Sequence, residues 1–156
     1  MDRPPRRLSD RLLNRQLLIK AFVWYGLIEA ALAMGAFFLN YWVNQGNLNH
    51  LASSGPLYRE ATTMTLGAII FTQIGMAMNS RKGRGSMFQV KPFANRIISL
   101  GIVLEIVLFI LLSYVPFFHT LFNTAPIGLD DWLYLLACPF VIMTLEEIRY
   151  RLFDKK

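Results

Sequence analysis

The sequence predicts an all-α membrane protein with four antiparallel transmembrane helices and both termini in the cytoplasm. The first observation is composition: 54% of the 156 residues are hydrophobic, which is more than a soluble chain of this length can bury. The second is clustering, because the apolar residues fall into four segments, 21–39, 61–80, 97–115 and 132–145. A bilayer core requires about 20 apolar residues per helix, and the fourth segment reaches that length only with residues 146–152.

The third observation is the distribution of positive charge. Lys and Arg number six up to residue 20, one in the first connection and five in the second, none between residues 116 and 131, and four after residue 148. By the positive-inside rule, this alternation predicts cytoplasmic termini and a cytoplasmic middle connection. The net charge of +6 is therefore interpreted as a consequence of membrane topology. No nucleic-acid partner is expected, because the basic residues flank apolar segments instead of lining one soluble face.

These patterns divide the chain into three parts. We expect a basic cytoplasmic segment over residues 1–16, a transmembrane domain over 17–152 and a cytoplasmic tail over 153–156, with helices at about 17–43, 60–80, 95–115 and 131–152. Pro139 lies inside the fourth helix and predicts a kink there. Asp130 and Asp131 open that helix, where acidic side chains suit the positive end of the helix dipole. The connection from Phe117 to Asp130, with His119, is predicted to be an external loop.

Two amide and two carboxylate side chains interrupt the apolar segments. Gln73 and Asn79 lie in the second segment, and Glu29 and Glu105 are the single carboxylates of the first and third. Bilayer centres disfavour such groups, so each requires a partner or a function. For Glu29 we expect a protonated or paired packing residue, and Glu105 should face the other helices.

Short motifs in a fixed order give the chain a resemblance to a known family. It is similar to the C-terminal transmembrane part, the seventh to tenth helices, of P-type cation-transporting ATPases, the superfamily of the calcium pumps and the sodium-potassium pump. The similar segments are Met1–Arg6, Thr72–Gln73 with Asn79–Arg81, Ser86–Phe88 with Asn95, Leu112–Pro116, Asp131–Trp132 and Glu146–Arg149. Each is weakly specific alone, but their order and the topology agree.

The resemblance implies a cell-membrane, multi-pass domain that supports the transport core of an ATP-driven pump, with Ca²⁺ as the transported cation. The family's phosphorylated Asp-Lys-Thr-Gly-Thr sequence is not in this chain. We therefore expect no catalytic residue, cofactor site or ATPase activity in the chain alone, and we interpret it as a fragment. ATP and Mg²⁺ would act in the parent pump. The expected partners are the lipid bilayer and the pump's remaining helices and cytoplasmic domains. The alternative is a free-standing small membrane protein that scaffolds or regulates a partner.

The resemblance also suggests site residues. Gln73 falls where muscle-type calcium pumps carry a glutamate ligand in the eighth helix, so it is a candidate cation ligand or ligand support; the alternative is a hydrogen bond to a neighbouring helix. Glu105 falls at an acidic residue of the sodium-potassium pump's ninth helix, which suggests an ion-related role, against a protonated structural one. Met76 stands where that pump has an aspartate, a departure that weakens a sodium-type site. Asn79 and Pro139 are predicted to be structural.

Overall fold

The computed structural model describes residues 18–45, 48–49, 51–80 and 95–154. These residues form helices joined by short connections, with no strand among them. The predicted N-terminal segment 1–16 and the basic middle connection lie outside the described residues. Five α-helices are present in that part of the chain: α1 (Gly26–Gln45), α2 (Pro56–Ser80), α3 (Arg96–Tyr114), α4 (Pro116–Phe122) and α5 (Leu129–Arg149). A π-helical turn, Lys20–Tyr25, precedes α1, and a second one, Tyr150–Asp154, follows α5.

Three of the described helices are long and apolar enough to cross a membrane. They are α1 with its preceding turn, over Ala21–Gln45, then α2 and α3. The prediction of an all-helical protein with apolar spans is thus confirmed for these three. α5 has 21 residues but carries charged residues near both ends, and it is not among the three. A fourth span therefore remains a prediction.

Local sequence explains where these helices begin. α2 starts at Pro56, where the missing backbone N–H leaves no donor unsatisfied in the first turn. Gly55 precedes it with φ +104°, a conformation that favours glycine. α3 starts after Asn95, whose side-chain oxygen accepts hydrogen bonds from the backbone N–H groups of Ile97 (3.0 Å) and Ile98 (3.4 Å). This is a standard N-cap that satisfies two otherwise unpaired donors.

The connection after α3 differs from the predicted loop. Pro116 sets the backbone angle for a new helix turn, so residues 116–122 form α4, which ends at Asn123 in the left-handed conformation. His119 is half-buried, and its Nε2 lies 2.8 Å from the Ser113 carbonyl oxygen. The expectation of a plain loop is wrong for these residues, because proline turn signals do not distinguish a loop from a short helix.

α2 is the centre of the fold. Ten of its 25 residues are buried, against four of 20 in α1 and two of 19 in α3. Its main neighbours are α1 and α5, and α3 touches it along the end nearest α4. Three aromatic rings, Phe71, Phe109 and Trp132, join α2, α3 and α5 edge to face, with centroids 5.7–6.1 Å apart. Edge-to-face rings of this kind add to the packing energy beyond the buried area.

Glycines allow α5 to approach α1 and α2 closely. A Cβ atom at Gly67 would lie 2.8 Å from a Leu135 methyl carbon, and one at Gly75 would lie 2.9 Å from both Cα and O of Pro139. At Gly35 a Cβ atom would lie 2.7 Å from the Tyr134 hydroxyl. Small residues of this kind let transmembrane helices pack backbone to backbone. The position of α5 is thereby fixed against both other helices.

Candidate functional site

Gln73 lies on a side of α2 that the rest of the described chain covers only in part, which we call the open stripe. Its side chain is exposed, whereas Phe71, Thr72, Ile74 and Gly75 around it are buried. The other residues of this open stripe recur at alternating intervals of four and three, as one helix face requires. They are Thr62, Leu66, Ile69, Met76 and Ser80, none of them buried.

Glu29 of α1 is the partner of Gln73. Gln73 Nε2 donates a hydrogen bond to Glu29 Oε1 over 3.2 Å, across 44 residues of sequence. Gln73 lies about two helical turns before the end of α2, whereas Glu29 lies in the first turn of α1, directly after the π-helical turn, and is half-buried. The expected pairing of Glu29 is therefore present. A carboxylate and an amide meet inside two apolar helices, at a surface that the described chain does not cover.

Glu105 lies elsewhere, on an exposed face of α3. The residues through which α3 packs are Ile102, Ile106, Phe109 and Ser113, which are partly or fully buried. Glu105 lies beside that line. It therefore does not face the other described helices, contrary to the prediction. No hydrogen bond or ion pair joins it to another described residue. Its ion-related role stays a prediction.

Asn79 and Pro139 both lie where α2 meets α5. Asn79 is 3% exposed, and its Nδ2 donates to the Ile142 carbonyl oxygen over 3.4 Å. Pro139 presents its backbone to Gly75, as described above. Both locations are those expected of residues that serve packing.

A buried polar cluster joins the end of α1 to the beginnings of α2 and α5. Asn40 Nδ2 donates to both carboxylate oxygens of Asp131 (3.2 and 3.3 Å) and to Glu60 Oε1 (3.3 Å). Asn40 is fully buried and Asp131 is 7% exposed. Asp131 Oδ2 also accepts from the Gly128 N–H over 3.0 Å, which caps the start of α5. We call Asn40, Glu60 and Asp131 the outer cluster; its contacts account for a structural role.

A second ionic group lies at the opposite end of α5. Glu146 is fully buried and receives two hydrogen bonds from Arg149, at 2.9 and 3.0 Å, and it is also hydrogen-bonded to the Tyr25 side chain. Glu147 pairs with Arg151 over 3.1 Å. A buried carboxylate with a fork of guanidinium donors is electrostatically satisfied. The contact of Tyr25 with Glu146 ties the π-helical turn before α1 to the end of α5.

The described residues do not form a complete metal centre. No group of three or more His, Cys, Asp or Glu side chains among them could hold an ion. Gln73 can offer one oxygen atom to an ion, and Glu29 can offer one or both of its carboxylate oxygens. A hard cation such as Ca²⁺ takes six to eight oxygen ligands. Cation binding would therefore require ligands from outside this part of the chain.

Sequence reasoning missed two features of these sites. It offered no partner for Glu29, because the contact with Gln73 depends on how α1 and α2 rotate against each other. It also overlooked Asn40, which ends an apolar run and resembles an interfacial residue. A usable signal was present in both cases: an amide or carboxylate inside an apolar helix requires a partner on another helix.

Comparison with known proteins identifies relatives over nearly the whole chain. The family described as "Cation transporting ATPase, C-terminus" matches residues 1–152. "Calcium-transporting ATPase 1" of Saccharomyces cerevisiae is 24% identical over 96% of this chain and 14% of its own length. "Calcium-transporting ATPase 1" of Schizosaccharomyces pombe is 28% identical over 96% and 15%. "Potassium-transporting ATPase alpha chain 1" of Xenopus laevis is 27% identical over 94% and 16%. The chain thus spans about a seventh of the length of these relatives.

Proposed function

The chain belongs to the family of cation-transporting ATPase C-termini, and we propose that it supplies the last four transmembrane helices of an ATP-driven Ca²⁺ pump. It is a multi-pass membrane domain. The observation that carries the proposal is the open stripe of α2, which exposes Gln73 beside Glu29. Polar groups inside apolar helices face protein or water and not lipid. The remaining helices of the pump would cover this stripe, so that Gln73 borders the transport core.

Calcium is the proposed ion for two reasons. The first relatives reported above are named as calcium-transporting enzymes, although one further relative is named for potassium. The amide of Gln73 also offers a neutral oxygen, a ligand type that Ca²⁺ sites accept. Gln73 would bind the ion or orient a group that does.

Variants of Gln73 in the complete pump test this role. Gln73→Ala removes one neutral ligand or hydrogen bond, which in membrane proteins is worth about 0.6 kcal/mol on average and about 1–2 kcal/mol in model peptides. At about 1.4 kcal/mol per tenfold, we expect a several-fold rise in the Ca²⁺ concentration for half-maximal ATPase activity. Gln73→Glu should change the affinity or its pH dependence by adding a charge. Unaltered half-activation in both variants would leave Gln73 as a packing residue.

We further propose that α5 is the fourth span and that both termini are cytoplasmic. The outer cluster supports this topology, because it joins the end of α1 to the beginnings of α2 and α5. The contact of Tyr25 with Glu146 joins the opposite ends of α1 and α5. Reporter fusions after Gly46 and Thr124 should report the external side, and fusions after Gly85 and Lys156 the cytoplasm. A cytoplasmic signal at Thr124 would contradict the four-span topology.

ATP hydrolysis would reside in the parts of the pump outside this chain. Phosphoryl transfer requires a positioned nucleophile and Mg²⁺ ligands, and the family's aspartyl phosphorylation sequence is not among these 156 residues. We expect the purified chain to incorporate no acid-stable phosphate from labelled ATP. Incorporation would contradict the proposed division of roles and favour an independent enzyme.

A further inference from the structure

We propose that α4 is an interfacial membrane helix, whose exposed apolar side chains lie among the headgroups and upper acyl chains of the bilayer at the end of α3. The partner of this surface is the lipid itself. Phe117, Leu121 and Phe122 of α4 are 70%, 62% and 57% exposed. The inference requires only that α3 spans the bilayer, so it is independent of the proposed role in ion transport.

The length of α3 places α4 at the bilayer surface. α3 has 19 residues, Arg96–Tyr114, which at 1.5 Å per residue cover about 28 Å. The hydrocarbon core of a bilayer is about 30 Å thick. When α3 spans that core, its last residue therefore reaches the boundary between acyl chains and headgroups. α4 begins two residues later, at Pro116.

An aromatic pair lies at the same level. The Tyr114 hydroxyl accepts a hydrogen bond from Trp132 Nε1 over 2.8 Å and donates one to the Ile127 carbonyl oxygen over 3.0 Å. Tyr and Trp are enriched at membrane–water interfaces, because each combines an apolar ring with a polar tip. The pair joins the last residue of α3 to the first turn of α5, as expected of two helix ends that meet at one interface.

Polar contacts hold α4 and the residues after it against the end of α3. Pro116 has no N–H, so the Leu112 carbonyl oxygen loses its usual helical donor, and Thr124 Oγ1 donates to it instead over 2.6 Å. His119 Nε2 lies 2.8 Å from the Ser113 carbonyl oxygen. A carbonyl oxygen can only accept, so the imidazole donates. These two contacts fix α4 on α3 and leave its apolar side chains exposed.

Composition favours lipid over water as the surroundings of α4. No Lys, Arg, Asp or Glu occurs over Ile106–Leu129, although charged residues make up about a quarter of an average soluble chain. The exposed side chains at the neighbouring end of α3 include Val107, Ile110 and Leu111. α4 therefore extends the apolar surface of a membrane span. Burial of Phe and Leu side chains at the acyl boundary is favourable, as in other interfacial helices.

Depth measurements with nitroxide spin labels on the full chain test the proposal. In a Cys138→Ala background, which removes the single native thiol, a label is attached at Phe117→Cys or at Leu121→Cys, and the protein is reconstituted in phosphatidylcholine vesicles. Molecular oxygen concentrates in lipid, whereas a charged-ligand nickel chelate stays in water. The ratio of label collisions with oxygen to those with nickel therefore reports depth.

Two further positions calibrate this ratio. Asp130→Cys is the aqueous control, because Asp130 is exposed in the first turn of α5. Leu104→Cys is the deep reference, because Leu104 is 56% exposed near the middle of α3. We expect the ratio at both α4 positions to lie between these two and several-fold above that of the aqueous control.

A ratio at α4 equal to that at Asp130→Cys would overturn the proposal. Labels that both reagents fail to reach in the complete pump would also overturn it, because protein would then cover α4. Should the labelled variants fold poorly, Phe117→Trp keeps an aromatic side chain and decides instead. Quenching of its added fluorescence by lipids brominated in the upper acyl chain supports the interfacial helix, and quenching by aqueous iodide alone refutes it.

Discussion

The two sides of α2 differ in how closely other helices pack against them, although their residues alternate along one helix. On the covered side, Gly67 and Gly75 admit α5 so closely that a single added carbon would collide with it. On the open side, Gln73 and Met76 each lie next to a buried residue but are not buried themselves. We therefore expect the covered side to determine whether this domain folds, and on our proposal the open side contributes to ion transport in the complete pump. Three predictions test that division.

The largest effect is expected from Gly75→Ala. The new Cβ would lie 2.5 Å from an Ile142 methyl group and 2.9 Å from backbone atoms of Pro139. Backbone atoms cannot move aside as a flexible side chain does, so the α2–α5 contact should lose about 3 kcal/mol. Cys138, the single cysteine, is buried, so its reaction with a fluorogenic maleimide on heating reports unfolding. Gly101→Ala is the control, because a Cβ there meets nothing within 4 Å. Equal unfolding temperatures for the two variants would contradict the close approach.

A smaller loss is expected from Asn40→Ala. The substitution removes the amide that donates to Asp131 and Glu60 and leaves their carboxylates facing each other. Hydrogen bonds to charged groups contribute about 1.5–3 kcal/mol, so we expect about 2 kcal/mol of destabilisation in the same thermal assay. Asn44→Ala, one turn further along α1 at an exposed position, should cost less than about 0.5 kcal/mol. A full-size effect at Asn44 and none at Asn40 would show that the outer cluster does not hold the helices together.

The smallest effect on stability is expected on the open side. Gln73→Ala breaks an exposed hydrogen bond, which in membrane proteins contributes about 0.6 kcal/mol. Its thermal unfolding should therefore be close to that of the wild-type chain, while cation affinity in the pump changes several-fold. A loss as large as that of Gly75→Ala, with unaltered affinity, would assign Gln73 to the covered side and reverse the comparison.

The sequence alone predicted the elements better than their contacts. The three apolar spans follow from segment length and hydrophobicity. α2 begins at Pro56, earlier than the predicted start at about residue 60, and α3 begins directly after its N-cap, Asn95, close to the predicted start. The short helix at Pro116 was missed because a proline followed by apolar residues is compatible with either a loop or a helix start. α5 was predicted to be a span. Because its ends are charged, its apolar content alone does not identify it as one.

The contacts depend on helix rotation, which single-segment patterns do not specify. The prediction that Glu105 faces the other helices came from the cost of a charge in lipid, a rule that states a need without giving a direction. The buried line along α3 is centred on Ile106 and Phe109 instead. Gln73 was identified through resemblance to a family, whereas its contact with Glu29 spans 44 residues and required the packed structure.

The glycine-lined approach of α5 has a consequence for biosynthesis. α5 is the long helix that apolar content alone does not mark as a span, yet its contact surfaces on α1 and α2 are translated before it. The first turn of α5 can hydrogen-bond to Asn40, and its buried side can pack against Gly67 and Gly75, only after α1 and α2 are in place. We therefore expect α5 to insert into the bilayer last, by packing against α1 and α2 after these two helices have inserted and paired. Isolated α5 should then remain at the membrane surface or be degraded, and the order of synthesis becomes part of how the domain assembles.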